Sequence, residues 1–181
     1  MKGFVCFDIE TTDLKANFGH IIAAVLVPLY GPCKPLVLRL DDPIYQQPHS
    51  YDDSLLVKEL ALQMEEATCW IGWNSKLFDA AFINTRLMVA GQRPLEKRFH
   101  CDLMYMARRP NIALHSSRLE AVMDFLQLDS RKSKIDPAIW VRAKDLEHDA
   151  MDYVCKHCVN DTKALREAFE YLRPFIGSIH R

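Results

Sequence analysis

Residues 3–14 read Gly3-Phe4-Val5-Cys6-Phe7-Asp8-Ile9-Glu10-Thr11-Thr12-Asp13-Leu14. From Gly3 to Glu10 the run is apolar or β-favouring, the pattern of a buried strand. Asp8 and Glu10 interrupt it. Strand side chains alternate, so carboxylates two residues apart point the same way. Like charges on one face repel and raise each other's pKa unless a cation sits between them. A hard divalent ion with oxygen ligands resolves that conflict. Taken alone, the pair has a plainer reading, the acidic start of a solvated turn.

The elements downstream place this strand. Thr11 to Gly19 is turn-like, His20 to Leu29 reads as a second strand and Pro35 to Leu40 as a third. These three suit an antiparallel meander. Asp41 to Asp53 is a polar, proline-marked loop. Ser54 to Ala67 carries Leu55, Leu56, Leu60, Leu62 and Met64 among Glu and Lys, an amphipathic helix. Thr68 to Trp73 is a short buried strand. Leu77 to Ala90 is a helix with Gly91 as its C-terminal cap. Arg98 to Leu103 is a fifth strand, running into a short helix near Met104 to Arg108. Ser117-Arg118-Leu119-Glu120 matches a capping box and opens another helix. Leu128 to Asp145 reads as polar and irregular, and a long last helix runs from about Glu147 to Phe169 or beyond. One α/β domain over residues 1–181, built on a mixed sheet, is expected.

Composition narrows the class. The chain has 181 residues, 49% hydrophobic and 26% charged, which is ordinary for a globular protein. Lys plus Arg is 23 and Asp plus Glu is 24, a net charge of −1, so a strongly basic nucleic-acid wrapper is excluded while a local basic patch is not. The 6 glycines form no phosphate-cradling loop, and the nucleophile elbow of α/β-hydrolases is absent. The apolar stretch Ile21 to Tyr30 contains Pro28 and is too short to span a bilayer. With no basic–apolar–small segment of the secretory kind at the start, a reduced, cytoplasmic protein is expected. Cys155 and Cys158 form a CxxC pair near His148 and His157, but four converging zinc ligands are not apparent.

Four further residues carry potential chemistry. Asp79 follows Phe78 near a helix start, where an acid also serves as a macrodipole partner. Asn74 is a good turn or cap residue. His157 and Asp161 lie one turn apart on one helix face, a spacing that can set a general base beside an acid or be an incidental exposed pair.

The order of these segments says more than any one of them. Phe7-Asp8-Ile9-Glu10-Thr11-Thr12-Asp13-Leu14 is followed by Gly72-Trp73-Asn74-Ser75-Lys76-Leu77-Phe78-Asp79, with Arg86 downstream. His157-Cys158-Val159-Asn160-Asp161-Thr162-Lys163-Ala164 comes last. The chain thereby resembles the DEDD, or DnaQ-like, superfamily of 3′–5′ exonucleases, with its ribonuclease H-like fold. The third motif departs from the usual family pattern, a tyrosine four residues before the aspartate or a histidine five before it. Here His157 holds the tyrosine spacing and Lys156 the histidine place. The His-Cys pair is similar to that of phage and prokaryotic ribonuclease H-like nucleases, and suggests a histidine-type branch with a short third motif.

The resemblance implies a mixed five-stranded sheet flanked by helices. It implies that Asp8, Glu10, Asp79 and Asp161 hold two Mg²⁺ or Mn²⁺ ions roughly 3.5–4 Å apart. Asp8 would bridge both ions and His157 would act as general base. Thr11, Leu14, Asn74 and Phe78 would line the terminal-nucleotide pocket, with Leu14 as an apolar wedge. The implied partner is a single-stranded 3′ end, DNA ahead of RNA, losing nucleoside 5′-monophosphates. The basic stretch from Arg131 to Lys144 is a candidate for backbone contacts, and Trp140 either stacks a base or anchors the stretch. The competing readings are a structure-specific endonuclease on the same fold and an inactive nucleic-acid- or protein-binding module.

Overall fold

The computed structural model describes residues 3–46, 52–130 and 135–177. Its sheet has five strands in the order β3-β2-β1-β4-β5. They are β1 (Phe4–Thr11), β2 (Ile21–Pro28), β3 (Leu36–Arg39), β4 (Cys69–Gly72) and β5 (Phe99–Asp102). β1, β2 and β3 form the expected antiparallel meander, while β4 and β5 run parallel to β1 and to each other. The sheet is therefore mixed and β1 is central.

The helices are α1 (Ser54–Glu65), α2 (Asp79–Val89), α3 (Leu103–Met106), α4 (Leu119–Leu126), α5 (Pro137–Lys144) and α6 (His148–Leu172). The alternation of β1 sorts its side chains between them. Val5, Phe7 and Ile9 cluster with Leu56, Leu60 and Met64 of α1 and Phe82, Ile83 and Leu87 of α2. Cys6 clusters with Ile71, Cys101 and with Ala164, Leu165 and Phe169 of α6. Farther along β1, Asp8 faces Cys158 of α6, which packs on Val25 and Val27 of β2. Among the described residues, no helix is long and apolar enough to cross a membrane.

β1 outruns its parallel neighbour. Its pairing with β4 ends at Cys6↔Ile71, whereas its pairing with β2 continues to Thr11↔Ile21 through a bulge at Glu10/Thr11. The strand edge beyond Cys6 is thus open to α2, and Asp79 meets it there.

Some sequence expectations need correction. Residues 128–145 are not irregular throughout, because α5 occupies Pro137–Lys144. Asp136 accepts a hydrogen bond from the Ala138 N–H at 2.8 Å and Pro137 sits at the first helical position, a strong start signal. Trp140 packs against the core cluster, an anchor. The Ser117–Glu120 capping box does not form: α4 starts at Leu119 with Arg118 as its cap residue and no side-chain cap bond. Ser117 instead accepts the Trp73 indole N–H on its carbonyl at 3.1 Å. α2 starts at Asp79, two residues after Leu77, because residues 74–78 form a turn. Its C-terminus behaves as expected, with Gly91 at φ 67° donating to Met88 and Gln92 donating to Leu87, a Schellman closure. Arg131, Lys132 and Lys134 lie outside the described residues, and Arg142 is tied to Glu147 and Asp149.

A buried ion pair joins the elements around the β1–β2 loop. The Asp53 carboxylate accepts from Arg86 Nε and Nη2, the latter at 2.7 Å, and from the Ile21 N–H at 2.8 Å. Arg86 also donates to the Ala16 carbonyl at 3.2 Å. Asp53 is 1% exposed and Arg86 8%. Removing one partner of such a pair strands the other charge in the interior. Arg86→Ala should therefore lower unfolding stability by about 3–5 kcal/mol, read from urea denaturation at pH 7. A loss below about 1 kcal/mol, the value of an exposed pair, would show that the bridge does not organise this loop.

Candidate active site

Asp8 and Glu10 share the face of β1 turned to α6. The Cys158 thiol donates to Asp8 Oδ2 at 3.4 Å and approaches the Asp8 carbonyl at 3.6 Å. Ligand atoms of Asp8, Glu10 and Cys158 all lie within 4.8 Å of one another. One turn of α6 sets His157 beside Asp161, with Nε2 at 3.6 Å from Asp161 Oδ2 and at 3.9 Å from Glu10 Oε1. The fourth acid arrives on α2: Asp79 Oδ1 accepts the Ile9 N–H at 3.3 Å. Asp79, His157 and Asp161 are all buried.

The electrostatics describe a crowded anionic site. Burial, then the charges of Asp79, Glu10 and Asp161, hold the Asp8 carboxyl well above the usual carboxylate range, and the Cys158 hydrogen bond opposes them. Burial pushes Asp79 from 3.8 to about 7, against the pull of its own backbone N–H and that of Ile9. Burial and the adjacent Asp8 and Glu10 charges raise the Cys158 thiol as well. Oxygen-rich, mutually repelling donors suit hard divalent cations such as Mg²⁺ or Mn²⁺. The residues present therefore fit such ions by donor chemistry.

The four residues expected around a terminal nucleotide lie at the end of β1, on the β1–β2 loop and in the turn before α2. Thr11 ends β1 and donates its hydroxyl to the Asp13 carbonyl at 2.8 Å. Leu14 is 82% exposed on the β1–β2 loop. Asn74 occupies the left-handed region at φ 58°, which asparagine tolerates better than most residues. Its carbonyl accepts from Leu77 and Phe78, closing the turn before α2. Phe78 is the cap residue of α2 and packs at a tilt against Phe82, with ring centroids 5.7 Å apart.

Several supports hold the site in ways that no sequence motif announces. Asp102, at the end of β5, accepts the backbone N–H groups of Asn74 (2.9 Å), Lys76 (3.0 Å) and Met104 (3.2 Å). Ser75 Oγ and His100 Nε2 share a buried 2.8 Å hydrogen bond. Gly72 lets the turn fold back, since a Cβ there would strike Ser75. Cys158, read from the sequence as half of a CxxC pair and as part of the third motif's His-Cys pair, is a further support through its contact with Asp8. Among the described residues, Cys155, Cys158 and His148 gather no zinc ligand set: Cys155 joins the core and His148 bonds Asp41. The one available signal for Asp102 was an acid closing a buried strand.

Raised carboxyl pKa values make the folded state hold protons that the unfolded chain releases. For Asp79 the stabilisation is present at low pH and is lost as pH rises from about 4 to about 7. The metal-free wild type should thus lose melting temperature over that interval relative to Asp79→Asn. Millimolar Mn²⁺ should restore more of it at pH 8 than at pH 5. Scanning calorimetry reads both, and parallel pH profiles for the two proteins would contradict the assignment.

Comparison with curated protein sequences gives no match. Among solved structures, the chain is similar to the family B DNA polymerase from the hyperthermophilic archaeon Pyrobaculum calidifontis, with a TM-score of 0.73 at 13% identity. The match covers 94% of this chain and 24% of the polymerase, so it spans about a quarter of that protein and shows a shared fold. The RNase_H superfamily model matches residues 5–173. Its coverage, together with the mixed five-stranded sheet flanked by helices, shows that the chain belongs to the RNase_H superfamily.

Proposed function

We propose that the protein is a metal-dependent 3′–5′ exonuclease of the DEDD, histidine-type branch, acting on single-stranded ends. The observation that carries this reading is the placement of His157 Nε2 within 3.9 Å of Glu10 and 3.6 Å of Asp161, beside the Asp8 and Asp79 carboxyls. Asp8, Glu10, Asp79 and Asp161 would hold two Mg²⁺ or Mn²⁺ ions. Bound there, such ions supply Lewis-acid stabilisation of charge on the phosphate and make water a stronger nucleophile.

The chain's own residues do the rest. His157 Nε2 accepts the proton of the attacking water, with the Glu10 and Asp161 carboxylates stabilising the imidazolium that results. Water adds at phosphorus in line with the 3′ oxygen of the preceding nucleotide, and that P–O bond breaks. The terminal residue leaves as a nucleoside 5′-monophosphate. Leu14 and Phe78 present apolar surface to the terminal base, and Thr11 and Asn74 supply polar groups at the edges of the same pocket. A net charge of −1 favours a short grip on a strand end over extended wrapping of a duplex. Likeness to part of a DNA polymerase supports DNA ahead of RNA as substrate.

Single strands labelled at one end and blocked at the other, incubated with Mg²⁺ or Mn²⁺, test the polarity. A 3′ block should stop degradation and a 5′ block should not. Indifference to both would make the protein an endonuclease. Asp8→Ala should abolish turnover, whereas His157→Ala should lower kcat by roughly 10²–10⁴-fold. A normal rate for His157→Ala would assign the base elsewhere.

A further inference from the structure

A cleft of about 470 Å³ lies beside β5, apart from the carboxylate cluster, with Lys76, His100, Tyr105, Met106, Asn111 and Phe175 among its lining residues. Its size falls in the range of about 300–1,000 Å³ common for small-ligand sites. β4 and β5 run parallel to β1, so the cleft and the carboxylates share one end of the sheet. Two strand spacings, roughly 10 Å, separate β5 from β1. The two sites also share a wall, because Asp102 in the cleft holds the backbone of both Asn74 and Lys76.

The lining has the chemistry of a nucleotide site. Tyr105 and Phe175 offer aromatic surface, and the Arg108 guanidinium sits over the Tyr105 ring at 4.1 Å from its centroid. Lys76 supplies a cation for a phosphate. Asn111 is oriented by donating its amide to the Met106 carbonyl at 3.3 Å. Asp102 adds an acid, but its two oxygens are met by three backbone N–H groups. Burial depresses His100 to about 4, so that ring carries no charge at neutral pH. Aromatic rings with interleaved cations bind successive bases with little sequence preference.

We infer that this cleft is a subsite for an upstream nucleotide of the single strand whose 3′ end occupies the carboxylate site. One base rests on Tyr105 and Phe175, and one phosphate meets Lys76. The inference rests on the exonuclease reading, and it adds a second point of grip that a short substrate cannot reach.

The test compares two substrates in wild type, Tyr105→Ala and Lys76→Gln. One is a DNA strand of about six nucleotides, and the other is thymidine 5′-monophosphate p-nitrophenyl ester, which has no upstream nucleotide. Each variant should raise KM for the strand by roughly tenfold or more and leave the kinetics of the ester unchanged. Unchanged KM for the strand in both variants overturns the inference, as does an equal loss on both substrates, which marks a structural role. Inhibition by free thymidine 5′-monophosphate that weakens in Tyr105→Ala would make the cleft a mononucleotide site and also overturn it. If wild type cleaves neither substrate, the exonuclease reading fails. Fluorescence anisotropy of the labelled strand with Ca²⁺ then decides the cleft separately: weaker binding by both variants supports it and equal binding overturns it.

Discussion

Four carboxyl groups meet at the end of one central strand, and the rest of the architecture accommodates their repulsion. Burial and the charges of Glu10, Asp79 and Asp161 all raise Asp8. Ionised together in a low-dielectric site, these groups work against folding unless positive charge joins them. The same repulsion would give a divalent cation its affinity there. The fold tolerates the cluster because β1 is hydrogen-bonded between β2 and β4 up to Cys6, and because Asp79 takes the Ile9 N–H where β4 has ended. α6 then closes over Asp8 and Glu10 with Cys158, His157 and Asp161.

Two buried polar networks keep the loops around the cluster in place. Asp102, with the Ser75–His100 bond, fixes the turn that carries Asn74, Phe78 and Asp79. The Asp53–Arg86 pair fixes the start of β2 and reaches the β1–β2 loop at Ala16, two residues from Leu14. Fully satisfied networks of this kind favour one arrangement over many. Loops near a reaction centre need such support, since small displacements there are costly to rate. The near-neutral net charge of −1 is compatible with a phosphate substrate on these terms, because cations bound by the cluster would supply positive charge that the sequence does not count.

Much of this was legible in the sequence, and the reasons are local. The alternation of a strand puts Asp8 and Glu10 on one face, and the turn of a helix puts His157 beside Asp161. The meander, the short parallel strands and the long last helix follow from apolar runs broken by Gly, Pro and polar loops. What escaped depends on distant partners. Asp53 meets Arg86 across 33 residues, and Asn74 meets Asp102 across 28, with no local spacing to announce either. Cys158 was visible as half of a CxxC pair and beside His157 in the third motif, but its contact with Asp8 spans 150 residues and has no local signal. The α5 helix was missed although Asp136-Pro137 announced it, because polar and basic residues around it masked the apolar face of Ile139, Trp140 and Ala143. At α4 the error ran the other way: a matching pattern was present, but Ser117 was engaged by Trp73 and stood one position too early.

The central claim is that Asp8, Glu10, Asp79 and Asp161 form one divalent-metal centre. The most direct measurement is an anomalous difference map, recorded at the manganese absorption edge, from crystals grown with Mn²⁺ and thymidine 5′-monophosphate. The account predicts two peaks among these four carboxylates, with Asp8 touching both ions. Peaks elsewhere, or none at saturating Mn²⁺, would contradict it.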